Sequence, residues 1–104
     1  MKLFYDNKNI DLYECRSFFS RLKGFMFKKN IDKALLFNYC NSIHTFFMLK
    51  SIDVIMTDID DNILFTYQNL KPWRIILPKK NVYNVYELPA GSIDKKNTIS
   101  VIKE

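Results

Sequence analysis

Residues 43–58, IHTFFMLKSIDVIMTD, decide how this chain is read. They are its densest apolar stretch. They hold the one histidine, His44, and a carboxylate, Asp53, set inside an apolar run. Alternation over 43–48 predicts a strand, with His44, Phe46 and Met48 on one face and Ile43, Thr45 and Phe47 on the other. Residues 49–52 turn the chain, and 53–57 form the next strand. Residues 58–62 (DIDDN) make a polar turn, and 63–67 pair back as the second arm of a hairpin.

The same logic extends outward. Ala34-Leu35-Leu36-Phe37 is a continuous apolar run, as expected of a strand covered on both faces. Residues 1–15 read as a hairpin turning at 6–9 (DNKN). Ser17 can cap a short helix that ends at Lys23, with Gly24 just past its end. Phe18 and Leu22, four apart, would dock that helix, and Phe25-Met26-Phe27 would anchor the chain after it. Beyond the central stretch, 69–74 is irregular and Ile75-Ile76-Leu77 is a brief strand. A late strand leads through Val85, Tyr86, Glu87 and Leu88 to the break at Pro89-Ala90-Gly91. Ser92 would cap a helical turn over 93–96, and 99–102 would form the last strand. Seven or eight short strands and one helix predict a mainly β fold, a small sandwich- or barrel-like antiparallel or mixed sheet.

Composition agrees. The chain has 104 residues, enough for one domain over 1–104, and is 48% hydrophobic and 15% aromatic, which argues against disorder. Its net charge is +5, but its lysine pairs, 28–29, 79–80 and 95–96, are dispersed. Dispersed pairs read as a solvated surface and argue against a nucleic-acid partner, leaving a non-specific polyanion binder as the weaker alternative function. Cys15 and Cys40 lie far apart with no CxxC, which implies two reduced thiols and no structural zinc. No apolar leader or membrane-length stretch occurs, so the expectation is a cytoplasmic monomer without a membrane span.

Four blocks resemble the family named domain of unknown function 192. Arg21-Leu22-Lys23-Gly24-Phe25-Met26-Phe27 is similar to its R-x-x-G-L-M-F block, and Ala34-Leu35-Leu36-Phe37 to its L-L-F strand. Residues 43–54 resemble its F-W-M-K-N-T-x-x-P-L-D-V segment, and 85–91 (VYELPAG) its V-L-E-L-P-A-G block. Ile43-His44-Thr45 and Pro72-Trp73-Arg74 look like a variant branch, and Ser51-Ile52 replaces the proline that precedes the central aspartate. The resemblance implies a mostly β fold with a short helix, and no established activity.

Three groups could carry chemistry. His44 and Asp53 could pair across the hairpin, the carboxylate orienting the imidazole as in general-base catalysis. With Cys40 they form a formal thiol–imidazole–carboxylate set, the signature of a hydrolase or thiol enzyme. The plainer alternative is that His44 and Asp53 satisfy each other or nearby backbone amides. Asp58, Asp60, Asp61 and Asn62 lack the glycine and glutamate of a calcium loop and read as a turn. Trp73 and Arg74 offer a stacking face and an anion fork on a loop. Glu87, inside an apolar strand, calls for a partner, and Arg21 or Arg74 are the candidates.

The leading expectation is therefore a small non-enzymatic binding module, needing no cofactor or metal, for a small ligand or a protein partner. Its face is His44, Met48, Asp53, Trp73, Arg74 and Glu87. Arg21, Gly24, Pro89 and Gly91 are the structural residues.

Overall fold

The computed structural model describes residues 1–94 and 101–103, with the side chain of Phe18 left aside. The chain opens with β1 (Lys2–Tyr5) and β2 (Lys8–Glu14), joined through Asp6 and Asn7. Both joining residues have positive φ, +49° and +61°, the backbone of the two-residue turn whose twist matches a hairpin. Helix α1 (Phe18–Lys23) follows, with Ser17 Oγ accepting from the Ser20 amide at 3.1 Å. The remaining strands are β3 (Ala34–Asn38), β4 (Ile43–His44), β5 (Ile52–Thr57), β6 (Ile63–Leu70), β7 (Ile75–Ile76), β8 (Asn84–Pro89) and β9 (Ile102–Lys103).

Seven strands make one sheet in the order β6-β5-β8-β3-β2-β1-β9, and β4 pairs with β7 in a separate ribbon. All pairings are antiparallel except β2 with β3, so the sheet is mixed. The fold is mainly β, a curled half-barrel with one short helix, as the sequence predicts. The most buried strands, β3, β5 and β8, sit together at the centre. Each face of the sheet has its own core. Phe25, Leu35, Phe37, Ile52, Val54, Met56 and Val85 pack on one side. Leu3, Leu12, Leu36, Ile55, Tyr86 and Leu88 pack on the other. Alternation explains the split: successive strand residues face opposite ways, and both faces are covered.

Four local expectations are corrected. Strand β4 stops at His44, because Thr45 bonds to a distant loop instead of to a neighbouring strand. Leu22 is 51% exposed and does not dock the helix. Of Phe25-Met26-Phe27 only Phe25 is buried, while Phe27 stands 66% exposed with φ +61°. The helical turn expected after Ser92 is absent over 92–94, and its remainder, with the first half of the 99–102 strand, lies outside the described residues.

Candidate functional site

Glu87 stands in the middle of β8, between Leu35 of β3 and Val54 of β5. The pleat sends its side chain to the same face as Val85, into the first of the two cores. The residue is 3% exposed. Its Oε1 has no hydrogen-bond partner. Burial alone pushes the carboxyl up to about 8, since the charged form is disfavoured where water is excluded.

The expected arginine pairing is absent. Among the described residues no ion pair joins Glu87 to Arg21 or Arg74. Arg21 instead donates from Nη1 to the Cys15 carbonyl at 3.3 Å, with its guanidinium 5.9 Å from the centre of the Phe37 ring. Arg74 donates to the Pro72 carbonyl on its own loop.

What Glu87 meets is a cavity of about 120 Å³. At roughly 30 Å³ per water, this is room for a compact group of a few heavy atoms. Its lining includes Arg21, Gly24, Cys40, His44 and Met48 together with Glu87. The local sequence builds it. Gly24 ends α1 at φ +47° and ψ −124°, and its amide bonds back to the Ser20 carbonyl. A side chain there would lie 3.5 Å from Glu87 Oε1, so the glycine keeps the approach to the carboxyl clear.

His44 and Asp53 are not brought together. Asp53, 1% exposed, accepts from the Asn69 amide at 2.8 Å and from the Ile93 amide at 2.9 Å. Both carboxylate oxygens are thus engaged by main chain. Asp53 is a structural clamp between β5, β6 and the segment after β8. His44 Nδ1 accepts from the Phe46 amide at 3.2 Å. The Cys40 thiol donates to the Ser42 carbonyl at 3.0 Å. Cys40 and His44 share the cavity with Glu87, and Asp53 does not line it.

Trp73 and Arg74 lie on a loop held by Thr45, which is fully buried. Thr45 Oγ1 donates to the Lys71 carbonyl at 2.7 Å and accepts from the Arg74 amide at 2.9 Å. The Thr45 amide and carbonyl add bonds to Arg74 and Trp73. Sequence reading placed Thr45 merely on the face opposite His44. A buried hydroxyl in an apolar stretch was the available sign that it had a distant partner.

Asp61 is the second residue whose role the sequence hides. Its Oδ1 accepts from Tyr86 at 2.8 Å, Thr57 at 3.0 Å and Asn84 at 3.2 Å, and Lys103 lies 3.1 Å from its Oδ2. The acidic turn is therefore a hub that ties the β5–β6 hairpin to β8 and β9. Among the described residues no cluster of His, Cys, Asp and Glu could hold a metal ion.

Known proteins place this geometry in context. Over 87 residues the chain is 38% identical to a UPF0127 protein of Thermococcus sibiricus, covering 78% of this chain and 56% of that one. Over 81 residues it is 42% identical to a UPF0127 protein of Pyrococcus abyssi, covering 72% and 68%. The chain thus spans a little over half of the first relative and about two thirds of the second. A crystal structure of a protein of unknown function from Novosphingobium aromaticivorans superposes with TM-score 0.78 at 14% identity, covering 98% of this chain and 84% of that one. A Sinorhizobium meliloti protein, described provisionally as a transcription regulator, superposes with TM-score 0.78 at 16% identity, covering 97% and 89%. Identities this low show a shared fold and nothing further. The family model described as an uncharacterized ACR, domain of unknown function 192, matches residues 2–100, and the chain belongs to that family.

Proposed function

We propose that the chain is a small non-enzymatic binding module, and that Glu87 is the base of its ligand pocket. One observation carries the reading: a carboxyl oxygen buried in the central strand has no protein partner and borders a cavity. Buried polar groups are nearly always satisfied, and an orphan costs about 1–3 kcal/mol of stability. A ligand that offers a hydrogen-bond donor would supply the missing partner. The cavity limits that group to a few heavy atoms, and Met48 and Phe37 give it an apolar wall. Arg21 and His44 at the same cavity favour a ligand that also carries an acceptor.

The alternative, a hydrolase or thiol enzyme using Cys40, His44 and Asp53, is less well supported. Asp53 spends both oxygens on backbone amides, and the Cys40 thiol points its proton at a carbonyl. We infer that the chain works as a cytoplasmic monomer of one domain.

The test is an amide-detected NMR titration with compact donors: urea, acetamide, methylammonium and acetamidinium. Saturable shifts centred on Gly24 and Glu87, lost in Glu87→Leu, support the reading. Shifts elsewhere, or none with any probe, contradict it.

A further inference from the structure

A second feature, separate from the pocket, lies where three loops meet. The rings of Phe27 and Phe47 are 5.7 Å apart, those of Phe47 and Trp73 4.9 Å, and those of Phe46 and Trp73 5.8 Å. These are ordinary spacings for interacting aromatic pairs, so the rings form one continuous ridge. The ridge faces solvent: Phe27 is 66% exposed and Trp73 58%, with Phe47 also exposed.

The backbone beneath is held in an unfavourable state to display it. Phe27, Phe47 and Trp73 have φ of +61°, +63° and +63°. Bulky residues rarely adopt this region, where the side chain crowds the backbone. The loops are nevertheless fixed: the Phe27 amide donates to the Phe47 carbonyl at 3.0 Å, and the Trp73 amide to the Thr45 carbonyl at 3.1 Å. Strained backbone that is rigidly held to expose rings is characteristic of a surface built for contact.

Charge says what it contacts. The three segments 24–30, 43–52 and 69–77 contain Lys28, Lys29, Lys50, Lys71 and Arg74 and no Asp or Glu. Every ridge loop therefore carries cations within a few residues of its ring. None of these five forms an ion pair among the described residues. Lys29 and Lys50, from two of the loops, line one surface hollow, and Lys71 and Arg74 line another.

We propose that this ridge is an interfacial docking site for an anionic lipid surface. Aromatic side chains, tryptophan above all, favour the boundary between water and hydrocarbon. Lysine and arginine beside them are drawn to anionic headgroups. A single-stranded nucleic acid would match the charge but would need open ring faces on which to stack. Here the rings contact one another, the Phe47–Trp73 pair at 62° and the Phe27–Phe47 and Phe46–Trp73 pairs tilted at 38° and 33°, so they form no row of parallel faces. Exposed Leu49, next to Lys50, extends the ridge with an aliphatic side chain that suits lipid and not bases.

Trp73 is the chain's one tryptophan, so its fluorescence reports the ridge directly. The whole chain is titrated with vesicles of phosphatidylcholine alone, with vesicles of phosphatidylcholine and phosphatidylglycerol at roughly 2:1, and with a single-stranded oligonucleotide. The anionic vesicles should shift the emission to the blue and shield it from acrylamide, and pure phosphatidylcholine should leave it unchanged. Lys28→Glu with Lys29→Glu, at exposed positions, should weaken partitioning about tenfold or more while leaving the circular dichroism spectrum unchanged. No blue shift with anionic vesicles overturns the proposal. So does partitioning that is indifferent to the charge reversal, or a response to the oligonucleotide without one to vesicles.

Discussion

Gly24 and Glu87 meet across the pocket: a Cβ on the glycine would sit 3.5 Å from Oε1 of the glutamate. The end of α1 and the centre of β8 are far apart in sequence, yet the absence of a side chain at one leaves the carboxyl of the other accessible. The family's R-x-x-G-L-M-F and V-L-E-L-P-A-G blocks, matched here by 21–27 and 85–91, thus both contribute to the lining of one cavity, the second through Glu87.

Glu87 should make the fold less stable as pH rises. Its folded carboxyl titrates at about 8 against an ordinary value of 4.5. Between those values the folded protein keeps a proton that the unfolded chain has released. Stability therefore falls with rising pH through that window, by at most about 1.4 kcal/mol per unit, is fully present below the unfolded value and levels off above the folded one. Glu87→Gln removes the titration and should be the more stable protein by roughly 2–4 kcal/mol at pH 8, with little difference at pH 4. Urea melts at the two pH values check it. A Gln variant that is less stable at pH 8 would mean the carboxylate has a charged partner after all.

Gly24→Ala should cost about 1–3 kcal/mol, because φ +47° with ψ −124° is strained for any side chain. The methyl itself meets Glu87 and Phe37 at ordinary contact distances, so steric overlap adds little. The same change should weaken probe binding at the pocket. Thermal melts and the NMR titration separate the two effects.

Thr45→Val keeps the side chain's shape and deletes its hydroxyl. It strands the Arg74 amide and one bond to Lys71, and should cost about 1–3 kcal/mol. The loop that carries Trp73 should loosen, which lowers the steady-state anisotropy of tryptophan emission. Unchanged anisotropy would show that the backbone bonds from Thr45 hold the loop unaided.

The two thiols should react at different rates. Both are free, Cys15 buried and Cys40 partly exposed. Burial, with the nearby Glu87 second, raises the Cys15 thiol above its ordinary value and so lowers its thiolate fraction. Under native conditions a thiol reagent should modify Cys40 first and Cys15 only on unfolding. Two equally fast sulfhydryls, or none in fresh protein, would contradict this.

The sheet was legible because its central strands are continuous apolar runs. Residues 34–37 read as a strand covered on both faces and 53–57 as a strand; both form, and both are buried. The first hairpin was legible from Asp6 and Asn7, which tolerate left-handed backbone. The loops were not. Of the nine described non-glycine residues with positive φ, Phe27, Tyr39, Phe47 and Trp73 are aromatic, and no turn propensity marks them. Their conformation is imposed by long-range bonds such as those of Thr45. At the site, the burial of Glu87 was visible in its apolar neighbours. Its lack of a partner was not, because Arg21 turns to Cys15 and Phe37 only in three dimensions.

Asp53 tests the clamp that replaces the expected His44–Asp53 pair. Asn at this position retains one acceptor oxygen for two backbone donors, and turns an amide N–H toward the other. Asp53→Asn should cost about 2–4 kcal/mol, whereas His44→Gln should cost less than about 1 kcal/mol. Equal losses would indicate that the two residues act as a pair.

Glu87, with its buried Oε1 lacking a protein partner, is the centre of the pocket. The most direct measurement is the pH titration of its side-chain carboxyl carbon by NMR, in the free protein. The account predicts a midpoint at about 8, which moves when a compact donor occupies the pocket. A midpoint in the ordinary carboxyl range, roughly 4 to 5, would mean that water or a cation already satisfies the group, and would contradict it.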